Sequence, residues 1–104
     1  MPGAGGTQRL PRLIPLGIAL DMLFSAKRID AHEAYHLGLI SKVVPLAQLM
    51  SEAHQIAEQI CQNAPLAVRG VKEAALRGLE LQLRDGIALE SLIAQQLMQS
   101  EDAN

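Results

Sequence analysis

Apolar residues recur at three- and four-residue steps along most of the chain, the pattern of helices that each bury one face. Leu10, Leu13 and Ile14 begin it. Pro11 and Pro15 limit this first helix to about two turns, because proline lacks a backbone donor and its ring clashes with the preceding turn. A second helix starts near Leu16, with Leu16, Ala19, Leu20, Leu23 and Phe24 on one face, and the polar stretch Ser25-Ala26-Lys27-Arg28 ends it. Asp30 suits the N-cap of a short third helix from Ala31 to Leu37, since its carboxylate can accept orphan backbone N–H groups. Gly38 suits the left-handed position that closes it.

Leu39-Ile40-Ser41-Lys42-Val43-Val44 is rich in β-branched residues and predicts one short strand or extended segment near 40–44, which Pro45 stops. From Leu46 onward, Leu49, Met50, Ala53, Ile56, Ala57, Ile60 and Cys61 form a helical stripe opposite Glu52, Gln55, Glu58, Gln59 and Gln62. This is the clearest helix in the sequence. Asn63-Ala64-Pro65 breaks it, a further helix carries Leu66, Val68, Val71 and Ala75 to about Gly78, and a last one runs from about Arg84 to Met98.

Met1 to Thr7 reads as a loop, because Gly3, Gly5 and Gly6 permit backbone angles closed to other residues and expose main-chain N–H groups. Without a second cluster of strands the chain builds no sheet of its own, which leaves helix-on-helix packing and a mainly α unit with at most one short strand. Length and composition agree: 104 residues, 49% hydrophobic and only 2% aromatic, make one small helical domain and exclude a disordered tail. A compact monomer of this size buries roughly 65% of its extended surface, so the expected core is modest and a partner surface is expected.

Nine basic and eleven acidic residues give a net charge of −2, with no block of either sign. That argues against nucleic acid and anionic membrane as partners. Cys61 is the only cysteine, so an internal disulfide and a cysteine-rich zinc cage are excluded, and its thiol is expected in the core. No apolar run approaches the ~20 residues of a membrane span, and no basic-then-apolar leader is visible, which reads as a cytoplasmic protein.

The string Pro2-Gly3-Ala4-Gly5-Gly6-Thr7-Gln8-Arg9-Leu10-Pro11-Arg12-Leu13-Ile14 resembles the enoyl-CoA hydratase/isomerase family, the crotonase superfamily. The resemblance continues through Ala19-Leu20-Asp21-Met22-Leu23, Arg28-Ile29-Asp30-Ala31-His32-Glu33-Ala34, Gly38-Leu39-Ile40-Ser41-Lys42-Val43-Val44-Pro45, and Ala64-Pro65-Leu66-Ala67 followed by Lys72. Two departures stand out: Pro15 and Ala26 occupy places where the family usually has glycine.

The resemblance implies the C-terminal helical portion of a crotonase-like fold, a single unit over 1–104. Residues 1–45 would form the loop and helices beside the active site, and 46–104 an oligomerisation-type region. Ser100-Glu101-Asp102 would precede a final family helix. It implies a parent that hydrates 2-enoyl-CoA thioesters, with CoA as part of the substrate and no separate cofactor, assembled as a trimer or dimer of trimers. The paired carboxylates that activate water, and the oxyanion donors, would stand upstream, so residues 1–104 contain no catalytic residue and are expected to be inactive alone. Gly3 is the one substrate-site position carried over, its N–H matching the family's donor to the catalytic water.

Three rival readings compete for particular residues. The glycine run could cradle a phosphate, but no lysine and Ser/Thr follow in P-loop order. His32-Glu33-Ala34-Tyr35-His36 matches the H-E-x-x-H of zinc peptidases, with Glu52 or Glu58 conceivable as a third ligand, yet the helix carrying it stops at Gly38 and the expected metal site is none. A non-catalytic helical interaction module would use the apolar stripes as contact surface. His54 reads as solvated, and Lys72 as a surface residue paired with Glu73 or Asp85 in preference to a CoA phosphate.

Overall fold

The structure is a computed structural model that describes residues 1–100. Glu101 and Asp102, which the family resemblance places before a final helix, lie outside the described residues. The chain divides into two compact units, Met1–Gln48 and a second beginning at Leu49. The first contains α1 (Gly6–Leu13), α2 (Leu16–Ser25) and α3 (Ala31–His36), followed by a single 3₁₀ turn at Leu46–Gln48. The second contains α4 (Leu49–Cys61), α5 (Pro65–Gly78) and α6 (Leu83–Met98).

Helix ends follow local chemistry closely. At α3 the Asp30 carboxylate accepts the Glu33 N–H at 2.8 Å, while Glu33 Oε2 accepts the Asp30 N–H at 3.3 Å, a reciprocal capping box. At the other end Leu39 N–H donates to the Ala34 carbonyl and Gly38 N–H to that of Tyr35, with Gly38 at φ +75°. This is the Schellman arrangement, in which a glycine in left-handed conformation satisfies the last carbonyls. Helix α2 closes in the same conformation at Ala26, φ 53°, the position where the family resemblance sets glycine aside. Pro65 sits in the first turn of α5, where its missing N–H has no helical partner to lose.

The mainly α unit with at most one short strand agrees with the structure: among the described residues the segment near 40–44 forms no strand, and residues 42–45 are irregular. Two expectations are corrected. The opening loop is shorter than 1–7, since α1 already begins at Gly6. Cys61 is exposed, because it belongs to the α4 stripe, which stays open along Leu49, Met50, Ile56 and Ile60.

Burial is sparse. Among the described residues the buried apolar set is Ile14, Ala19, Ala34 and Ile93. In the first unit α1 packs on α2, with Ile14 and Ala19 buried, while Phe24 is 82% exposed despite lying on the apolar face of α2. In the second unit α5 packs on α6. Gly70 is buried there, and a Cβ at that position would stand 2.7 Å from Leu97 Cδ1 and 3.0 Å from Ile93 Cγ2, so only glycine fits without movement.

Candidate functional site

The glycine loop ahead of α1 is held by its own backbone. Gly6 N–H donates to the Gly3 carbonyl at 3.0 Å, and the Gly5 carbonyl accepts from Gln8 N–H at 3.0 Å and Arg9 N–H at 2.8 Å. Ala4 at φ 52° and Gly5 at φ 83° are consecutive left-handed residues that swing the chain into the helix. Arg9 then reaches back, its Nη2 donating to the Ala4 carbonyl at 2.6 Å. One helix thus clamps the loop that precedes it.

The three glycines serve different ends. Gly5 is required by its left-handed backbone, and a Cβ there would also meet Arg9 Nε at 3.1 Å. A Cβ on Gly6 would lie 3.4 Å from Pro2 Cβ, a close approach at the start of the helix. Gly3 is unlike both: a Cβ there would meet nothing within 4 Å and its backbone is not left-handed. Its N–H has no acceptor among the described residues. Nothing among the described residues demands glycine at this place, which is the situation of a backbone kept bare for close approach by something outside it. An exposed amide on a turn fixed at Gly3–Gly6 can donate one directed hydrogen bond to a water or carbonyl oxygen.

Sequence spacing does not single out Arg9, whose clamp spans five positions. The available signal was a guanidinium one turn into a helix that follows a glycine run, where it can reach loop carbonyls.

The rival sites fare differently. His32, Glu33 and His36 do share one cleft, but both Glu33 oxygens are engaged, Oε1 by Lys27 Nζ at 3.2 Å and Oε2 by the Asp30 N–H. No set of three His, Cys, Asp or Glu side chains among the described residues is arranged to hold a metal. His54 is exposed on α4. Lys72 is also exposed, and Glu73 pairs with Arg77, four residues along α5, instead of with Lys72. No helix of the described residues is long and apolar enough to cross a membrane.

Comparison with known proteins identifies the family. The family model for enoyl-CoA hydratase/isomerase matches residues 1–104. The chain is 43% identical over 101 residues to the short-chain-enoyl-CoA hydratase of Clostridium acetobutylicum, covering 97% of this chain and 39% of that protein. It is 42% identical over 90 residues to the crotonyl-CoA hydratase of Syntrophomonas wolfei, covering 86% and 35%. The crystal structure of enoyl-CoA hydratase from Bacillus anthracis superposes with a TM-score of 0.95 at 43% identity, over 99% of this chain and 40% of that one.

The chain therefore belongs to the enoyl-CoA hydratase/isomerase family, and its helices are a helical portion of the crotonase fold. It spans about two fifths of the length of the relatives it matches.

Proposed function

We propose that residues 1–104 are the later part of an enzyme that adds water to 2-enoyl-CoA thioesters, and that the Gly3 N–H orients the attacking water. The observation that supports this reading is the bare, unpartnered Gly3 amide on a loop clamped by Arg9. Hydration of a conjugated thioester needs a carboxylate pair to activate water and return a proton, and amide donors to hold the developing enolate oxygen. Gly3 contributes position, and the carboxylates belong to the remainder of the parent. Missing acid/base groups cost about 10²–10⁴ in rate, and one missing oxyanion donor about 10²–10³, so the chain alone is silent. CoA enters as part of the substrate, no separate cofactor takes part, and the enzyme works in the cytoplasm.

The exposed stripe of α4 supports assembly of the parent as a trimer or hexamer, because contiguous apolar surface of this kind is covered in a working protein. The same stripe supports the second reading, a helical module that binds without catalysis.

One experiment separates them. Residues 1–104 replace the matching stretch of the Bacillus anthracis hydratase, and the chimera is assayed for hydration of crotonyl-CoA by loss of thioester-conjugated absorbance. Activity that falls on Gly3→Pro, which deletes the donor, with the fold retained by circular dichroism, is the expected outcome. A folded, assembled chimera with no hydration leaves the module reading in possession.

A further inference from the structure

The acyl-CoA reading makes no use of His32 and His36. They sit four residues apart on α3, the spacing that brings side chains together on one helix face. Both line a single cleft of about 370 Å³, shared with Asp21, Lys27 and Glu33. Both are exposed, and no described residue hydrogen-bonds to either ring, so their nitrogens are available to a ligand.

The helix that carries them is only six residues long, yet its geometry is fixed within residues 30–39. The Asp30–Glu33 capping box closes one end and the Gly38–Leu39 Schellman turn the other. The backbone positions that carry His32 and His36 are therefore held one turn apart by short-range bonds.

We propose that His32 and His36 form a two-imidazole binding site for a late divalent transition-metal ion such as Ni²⁺, with water in the remaining positions. Neutral imidazole is a good ligand for Ni²⁺, Cu²⁺ and Zn²⁺. Two rings presented together bind far more tightly than one, since the second attachment is intramolecular. The absence of a third His, Cys, Asp or Glu in coordinating position among the described residues makes this an open site. This inference stands apart from the acyl-CoA reading and survives its failure.

The test is titration of Ni²⁺ into the 104-residue chain by calorimetry, with the ring signals of its three histidines followed by NMR. The expected result is one ion per chain, with the His32 and His36 signals broadening together and that of His54 spared. His32→Ala and His36→Ala each lower affinity roughly a hundredfold, whereas His54→Ala leaves it unchanged. Asp30→Ala, which loosens α3 and touches neither ring, lowers affinity severalfold and so distinguishes a built pair from two loose histidines. Equal broadening of all three histidines, full affinity in either single-alanine variant, or no saturable binding up to about 1 mM Ni²⁺ overturns the proposal.

Discussion

Helix α4 has the cleaner amphipathic pattern in sequence, while α5 and α6 have weaker stripes interrupted by glycines; yet α5 and α6 are the pair that pack, and α4 keeps its apolar face open. The difference lies in the small residues. Gly70 lets α6 approach until Ile93 and Leu97 occupy the volume of a missing side chain. Further along, Gly78 and Gly86 meet backbone to backbone, a Cβ on Gly86 lying 3.6 Å from the Gly78 Cα. Close approach converts modest apolar content into burial, whereas the apolar residues of α4 stay exposed. Strength of periodicity measures how much a helix has to bury and says nothing about whether its burial partner lies in the same chain.

Two isoleucines turn this contrast into measurement. Ile93 is 8% exposed and Ile56 is 42% exposed. Ile93→Ala opens a cavity between α5 and α6 and lowers stability by about 2–4 kcal/mol, read from urea unfolding followed by far-UV circular dichroism. A loss below about 0.5 kcal/mol would mean that the α5–α6 contact is no core at all.

The locally sealed α3 supplies the next largest effect. Asp30→Ala removes the cap and strands Glu33, costing about 1–2 kcal/mol, and the Glu33 amide loses its protection from hydrogen exchange. Retained protection at that amide would contradict the capping box.

Ala26→Gly runs the other way. Relief of the left-handed alanine outweighs the added freedom of the unfolded chain, so stability rises by roughly 0.5–1 kcal/mol. A decrease would place Ala26 outside that conformation. The smallest effect is at Ile56→Ala, within about 0.5 kcal/mol in the chain alone. A loss as large as that at Ile93 would show that α4 is already covered, and the distinction between the two helix faces would collapse.

Much of the architecture was legible beforehand where its causes are short-range. The N-cap at Asp30, the left-handed Gly38, the break at Asn63-Ala64-Pro65 and the start of α2 near Leu16 each depend on a few consecutive residues, and each lies where the spacing placed it. The run near 40–44 left a short strand or an extended segment open for the opposite reason: β-branched content states a preference, and a strand needs a partner strand. The expected burial of Cys61 failed, and Phe24 stays exposed, since an apolar face predicts burial only when another element meets it.

At the candidate site, the sequence by itself determined the family to which its glycine string belongs, and Gly3 entered only through that resemblance. Which glycine is needed by the backbone and which is left bare, and that Arg9 clamps the loop through Ala4, only the folded arrangement decided. The physical division is one of range. Dihedral preference, capping and helical period act between near neighbours and are written into consecutive letters, whereas burial and reach depend on distances that exist only after the helices have met.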